Sequence, residues 1–314
     1  MRTKFPKVKR ISKKRTEAEL KLLQSLPLET KILWAQEKIK EWYEYHNGMV
    51  YVSFSGGKDS TVLLSIVRQL YPNIPAVFSD TGLEWPEVRD FVKTIDNVIW
   101  LKPKTSFNKV LEIYGYPLVS KKIAKMIRRL QNPTERNTHS NKLALTGLKR
   151  DGTLSKFFKL SQKWKFLIKA PFKVSEKCCD ILKKEPFLNY EKTSNRKPYV
   201  GVMAQDSQQR KQSYLITGCN SFSTGKSQPL SIWKDEDIWE YIKTYKINYS
   251  KAYDLGERRT GCIFCCFGID KDPNRFVRLY KRHPHLWKYC MENLKMKEVL
   301  DYCKIKSKPD GFFY

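Results

Sequence analysis

Two groups of residues in this sequence have types and spacings suited to chemistry. The first is Ser55-Gly56-Gly57-Lys58-Asp59-Ser60. Two glycines let backbone approach an anion closely, and their N–H groups can converge on a phosphate. Lys58 adds a point charge, and a helix starting here would aim its N-terminal dipole at the same anion. The spacing is not that of a Walker A loop, GxxxxGK[ST]. The second group is Cys178-Cys179 together with Cys262-Ile263-Phe264-Cys265. A CxxC turn presents two thiolates to one metal centre, and a second pair completes four ligands. Neighbouring side chains diverge, so adjacent cysteines suit a cluster of several irons better than one tetrahedral ion. Structural Zn2+ and unliganded buried thiols are the alternatives. Lys177, Lys183, Lys184, Arg258 and Arg259 would favour thiolates over thiols.

Lesser candidates follow. Cys219, in Thr217-Gly218-Cys219-Asn220, is either a sulfur-carrying or redox thiol or a structural cysteine. Cys266 could replace one ligand of the CxxC, whereas Cys290 and Cys303 lie in apolar helical patterns and read as core. Gly201 opens a segment with Asp206, Ser207 and Arg210, where the arginine could grip an anion bidentately and Asp206 or Ser207 could cap a helix. His283 and His285 flank Pro284 and read as helix-start surface residues.

These groups need elements to position them. Ile32, Leu33, Ile39, Trp42 and Tyr43 predict a helix over 28–45, stopped by His46-Asn47-Gly48. Met49 to Phe54 reads as a buried strand leading into the glycine loop, and 59–71 as an amphipathic helix leaving it. Strands at 76–78 and 98–101 alternate with helices at 87–95 and 106–114, which implies a parallel sheet flanked by helices. The pattern resumes with a strand at Tyr199–Met203 and helices at 234–244 and 273–295 around the cysteine-rich loop.

Charge is the abnormal feature of the composition. The 314 residues hold 60 Lys+Arg against 32 Asp+Glu, a net +28. Such an excess points to an anionic partner, with a general lysine bias as the bland account. Hydrophobic content of 41% excludes global disorder. No run reaches the length of a membrane span, and no signal peptide opens the chain. Eight cysteines without a secretion signal imply reduced thiols, so the expected compartment is the cytoplasm. The expected organisation is a basic arm (1–27), a nucleotide-binding core (28–120), a basic inserted lobe (121–175), a continuation of the core with the first cysteine pair (176–232) and a cysteine-rich helical region (233–314). Between Lys121 and Ala170 there are fourteen Lys+Arg and two acids. Lys121, Lys122, Lys125, Arg128, Arg129, Lys149 and Arg150 are therefore the candidate nucleic-acid contacts.

The text Ser53-Phe54-Ser55-Gly56-Gly57-Lys58-Asp59-Ser60 resembles the PP-loop of the N-type ATP pyrophosphatases, and Ser79 to Glu84 resembles the segment after their second strand. The nearest branch is the phosphoadenosine-phosphosulfate-reductase-like group. Cys178-Cys179-Asp180 through Pro186, followed at long interval by CxxC, is similar to the [4Fe-4S] motif of adenylylsulfate reductases. The resemblance implies an adenine nucleotide α-hydrolase-like fold. It implies nucleotide contacts from Ser53, Ser55, Gly56, Gly57, Lys58, Asp59, Ser60, Asp80, Thr81, Gly82, Gly201 and Arg210. Cluster ligation would fall to Cys178, Cys179, Cys262 and Cys265, and catalytic roles to Lys58, Asp59 and Cys219. Ser120-Lys121-Lys122 resembles the group's sulfate-side element.

Three functions are consistent with these residues. One is ATP- and Mg2+-dependent adenylation of DNA or RNA coupled to sulfur transfer, with a partner such as a cysteine desulfurase as donor. Another is a sulfonucleotide reductase, which the CC…CxxC set favours and from which the intact Ser-Gly-Gly-Lys-Asp-Ser departs. The third is a nucleotide-dependent nucleic-acid-binding regulator without turnover.

Overall fold

The computed structural model describes residues 15–309, and its elements run in this order. First come α1 (Glu17–Gln24), α2 (Leu28–Tyr45), β1 (Val50–Phe54), α3 (Lys58–Leu70) and β2 (Ala76–Ser79). Next are α4 (Pro86–Lys93), β3 (Val98–Leu101), α5 (Phe107–Tyr114), β4 (Leu118–Val119), α6 (Lys121–Gln131) and α7 (Thr138–Thr146). Then follow α8 (Glu185–Ser194), β5 (Lys197–Val200), α9 (Gln208–Thr217), β6 (Asn220–Ser221), β7 (Lys226–Ser227) and α10 (Asp235–Thr244). The last are β8 (Cys266–Phe267), α11 (Arg275–Arg282), α12 (Pro284–Glu292) and α13 (Met296–Tyr302). No described helix is long and apolar enough to cross a membrane.

Two compact units share this chain by interleaving. Among the described residues, unit 1 takes 15–79, 86–101 and 189–260; unit 2 takes 80–85, 102–188 and 261–309.

Unit 1 holds a six-stranded sheet in the order β3-β2-β1-β5-β7-β6, parallel except for the β6–β7 pair. The central β1 is mostly apolar, broken only by the half-buried Ser53, and it has a neighbour on both sides, with Val52 opposite Ala76 on one edge and Tyr199 on the other. From β1 the chain winds outward through β2 and β3, then returns as β5 on the opposite side. That reversal opens a crevice beyond the carboxyl ends of β1 and β5, where open α/β sheets bind ligands. Val62, Leu63, Ile66 and Val67 give α3 a wholly buried face at helical spacing. Each such side chain contributes about 1.5–3 kcal/mol. On α2, Ile32, Ala35, Ile39 and Trp42 form the buried stripe, and the Tyr199 hydroxyl ties it to β5 by donating to the Ile39 carbonyl at 2.8 Å.

Unit 2 is mostly helical. Its only named strands among the described residues are the two-residue β4 and β8, paired in parallel with Leu118 opposite Cys266. Between 121 and 170 it contains α6, α7 and a 3-10 turn at Gln162–Lys169, with Trp164 and Leu167 buried.

Three local expectations are corrected. The basic arm lies outside the described residues up to position 14, but its later part is the helix α1. There Thr16 and Glu19 form a reciprocal capping box and Leu20 is buried, so an amphipathic turn overrides the local charge. The helix expected over 273–295 breaks into α11 and α12, because Pro284 has no N–H to continue the ladder and instead starts the second helix. The strand expected over 199–203 is Lys197–Val200; at 201 the backbone turns in against α3 instead.

Candidate functional site

Beyond β1, in unit 1, the glycine loop is held by its own hydroxyls. Ser60 Oγ donates to the Gly57 carbonyl at 2.8 Å, lies 3.1 Å from Ser55 Oγ and accepts the Ser55 N–H at 3.2 Å. Gly56 has φ +69, and a Cβ there would meet the Val88 and Val92 methyls of α4 at 2.8 Å. Glycine is thus required twice, by conformation and by space. Gly57 is hemmed too: an added Cβ would sit 2.8 Å from Thr260 Oγ1. Gly201 lets the segment that leaves β5 reach the first turn of α3, where a Cβ would meet the Asp59 carbonyl at 3.0 Å. Ser53 is a half-buried β1 residue paired with Val77 and Val200.

Lys58 is the electrostatic centre of this crevice. Its ammonium donates to Asp59 at 2.8 Å and to Asp235, the first residue of α10. Burial disfavours the charge, but the two carboxylates outweigh it and raise the ammonium above its ordinary value. Burial also raises the Asp59 carboxyl, with Lys58 opposing and Asp206 and Asp235 adding to the rise. The backbone N–H of Lys58, which would point at a bound phosphate, donates to the Tyr253 hydroxyl at 2.9 Å. Lys58, Asp235, Trp239, Tyr253 and Arg258 line a cavity of about 440 Å3 here. Arg210 grips Asp206 and not an open anion site; Ser207 caps α9, accepting the Arg210 N–H. Sequence reasoning missed Tyr253, Asp235 and Trp239. The signals were weak: three acids at the start of α10 and an aromatic set at 239, 249 and 253.

Cys219 sits elsewhere in unit 1, 4% exposed. It lines a separate cavity of about 440 Å3 with Arg15, Trp34, Lys38 and Tyr214. Burial pushes its thiol up, the reverse of the activation that a sulfur-carrying thiolate requires.

In unit 2, Cys178, Cys179, Cys262 and Cys265 line one small pocket with Leu83, Phe107 and Lys183. The spacing of the two motifs therefore does bring four thiols together. Cys178 Sγ lies 4.0 Å from Cys179 Sγ and donates to it, which pulls Cys179 down to about 6 against burial, with help from Lys121 and Lys183. Cys178 is correspondingly raised, and burial puts Cys265 at about 12. The Lys183 ammonium is held charged by Cys262 and, 4.0 Å away, by Glu84. Arg275 donates to the Cys262 carbonyl at 2.6 Å. Among the described residues, no three Cys, His, Asp or Glu side chains are grouped tightly enough to hold a single metal ion. Cys266, fully buried in β8, does not line the pocket. Cys290 and Cys303 are buried too, and burial puts the latter at about 11.

Asp80, Thr81 and Gly82 belong to unit 2 and form a hydrogen-bonded turn with Glu84. Thr81 Oγ1 donates to Glu84 at 2.8 Å and the Gly82 N–H donates to Asp80 at 3.2 Å. The basic residues of α6 are partly committed. Arg128 forks onto Glu176 at 3.0 and 2.9 Å, Lys122 lies 3.4 Å from the Phe157 ring centre, and Lys121 faces Cys179. Ser120 caps the same helix, accepting the Ile123 N–H. Lys125, Lys149 and Arg150 are exposed and Arg129 half-buried. His283 is half-buried, its ring 5.7 Å from that of Trp85.

A family model described as the phosphoadenosine phosphosulfate reductase domain matches residues 49–157 and 143–267. An uncharacterized protein of Methanocaldococcus jannaschii is 24% identical over 281 residues, covering 85% of this chain and 53% of its own. The chain thus spans about half the length of that relative. A Bacillus cereus protein described as adenosine 5'-phosphosulfate reductase is 23% identical over 233 residues, 72% of this chain and 76% of that protein. A crystal structure of phosphoadenylyl-sulfate reductase from Candida auris, in complex with phosphate, superposes with a TM-score of 0.43 at 16% identity, covering 79% of this chain and 95% of that one.

Proposed function

Because the chain belongs to the phosphoadenosine phosphosulfate reductase domain family, we propose that it binds ATP at the Ser55–Ser60 loop, adenylates a nucleic-acid acceptor and supports sulfur transfer to it. The observation that carries this reading is the complete phosphate loop at the mouth of β1. Lys58 stands there between Asp59 and Asp235, and the α3 N-terminus supplies N–H groups to a triphosphate. An acceptor oxygen attacks the α-phosphorus, the bond to the β-phosphate oxygen breaks, and pyrophosphate leaves. Persulfide sulfur from a donor such as a cysteine desulfurase, released as hydrosulfide by two electrons from a dithiol reductant, then displaces AMP, which departs with the acceptor oxygen. Lys58 and the loop N–H groups stabilise charge developing on the phosphates. Mg2+ entering with the triphosphate would be met by Asp59 and Asp235.

The thiol pocket fits an iron–sulfur cluster by the chemistry of its donors: four cysteines, one of them already favouring thiolate, next to Lys183 and Arg275. Cys178, Cys179, Cys262 and Cys265 would hold it, and when bound it would supply electrons or cluster sulfur. A single tetrahedral zinc, with sulfurs about 2.3 Å from the metal, is the alternative for the same four thiols.

A sulfonucleotide reductase is the second reading, favoured by the description of the Bacillus relatives. Against it, Cys219, Cys266, Cys290 and Cys303 are all buried with raised thiols, leaving no activated nucleophile among the described cysteines outside the pocket. The test is anaerobic purification with iron, zinc and acid-labile sulfide quantified, followed by two assays. Pyrophosphate release stimulated by tRNA or DNA supports adenylation; sulfite release from a sulfonucleotide, without pyrophosphate, replaces it with the reductase. Neither product, with nucleotide bound, leaves a binding protein.

A further inference from the structure

A groove in unit 2, outside the thiol pocket, combines the two features that single-stranded nucleic acid requires. It encloses about 650 Å3, within the range of ligand clefts, between the 3-10 turn at Gln162–Lys169 and the segment that follows α13. Phe166 and Tyr302 stand at its wall 39% and 38% exposed, with ring centres 5.6 Å apart. Both are backed by buried or packed rings: Trp164 lies 6.2 Å from Phe166, and Phe172 is edge-on to Tyr302 at 5.3 Å. Lys163, Lys304 and Lys306 line the same groove, against one acid, Asp270. The far wall is pinned in place. Trp287 Nε1 donates to the Ser307 carbonyl at 2.9 Å, and Lys308 lies over the Trp287 ring at 4.9 Å.

We propose that this groove binds a single-stranded segment of nucleic acid, its bases stacking on Phe166 and Tyr302 and its phosphates met by Lys163, Lys304 and Lys306. The proposal rests on the nucleic-acid reading above and gives that acceptor a docking place. Aromatic faces accept any unpaired base, and lysines beside them track the backbone. A duplex keeps its base faces stacked internally and offers these rings nothing.

The test is fluorescence anisotropy of labelled twelve-nucleotide single-stranded RNA, single-stranded DNA and duplex DNA with the full chain. Wild type should favour the single strands, and the RNA and DNA arms identify the source. Phe166→Leu/Tyr302→Leu, which keeps apolar volume and so the fold, should weaken single-strand binding by roughly 10- to 100-fold while ATP affinity stays unchanged. Lys163→Ala/Lys304→Ala should weaken it and flatten its salt dependence. Single-strand binding unaffected by the aromatic pair overturns the groove but leaves the nucleic-acid reading standing. Absence of any nucleic-acid binding by wild type, with ATP bound, overturns both. A two-chain sedimentation mass that the aromatic variant halves would put a second copy in the groove and overturn the proposal.

Discussion

The Tyr253 hydroxyl accepts the backbone N–H of Lys58 at 2.9 Å, at the helix end where a phosphate would bind. A side chain from 195 residues away thus does what a phosphate oxygen would do. Nucleotide must displace it. Tyr253→Phe should therefore bind ATP more tightly, by about fivefold, because a hydrogen bond of net worth about 1 kcal/mol no longer has to break. Titration calorimetry on the nucleotide-free protein measures this. Weaker binding would instead make the hydroxyl a ligand of the bound phosphate.

Metal content separates the pocket cysteines from the others. Cys179→Ser and Cys265→Ser should each remove at least half of the iron and sulfide recovered anaerobically, while Cys219→Ser and Cys290→Ser leave both unchanged. Equal losses in all four would point to general unfolding, visible as a matching loss of helical circular dichroism.

Inside unit 1, Lys31 is 2% exposed and holds both oxygens of Asp237 at 2.8 and 2.7 Å. Lys31→Met leaves that carboxylate buried without its cation and should cost about 3–5 kcal/mol in urea denaturation. Lys31→Met/Asp237→Leu should recover most of the loss. A shortfall of about 1 kcal/mol is expected, because Asp237 also accepts the Lys234 N–H at the start of α10.

Acid should weaken unit 2 through Glu176. Burial opposes its charge, but the Arg128 fork and a backbone N–H outweigh burial and hold the carboxyl below its ordinary 4.5. The folded value lies below the unfolded one, so the contribution is complete above 4.5 and is lost as pH falls through the folded value. Glu176→Gln should be less stable than wild type near neutrality, and the gap should close on acidification. A gap that stays constant with pH would assign the effect to packing alone.

Much of unit 1 could be read from the sequence because its signals are local. The 28–45 helix, the β1 run and the glycine loop each carry their own periodicity or turn chemistry, and the structure places them within a residue. Pro284 was an equally local signal: the helix start read beside it is that of α12, although one continuous helix was expected across 273–295. What stayed hidden depends on pairs distant in sequence. Lys31 reads as a solvent residue until Asp237 is found opposite it, 206 positions away. Asp235 and Tyr253 join the glycine loop by the same long-range route. The basic lobe shows the opposite error: charge is countable in sequence, but its use is not, and Arg128 turns out to be held by Glu176.

The interleaving of the two units has a consequence for synthesis. The Cys178-Cys179 pair leaves the ribosome well before Cys262 and Cys265, with the last stretch of unit 1, residues 189–260, emerging in between. Chains fold broadly from the N-terminus as they appear. The nascent chain can therefore complete its six-stranded sheet while two adjacent thiols still await their partners. Any metal delivered to them must arrive late, and an oxidant that arrives early finds the pair unprotected.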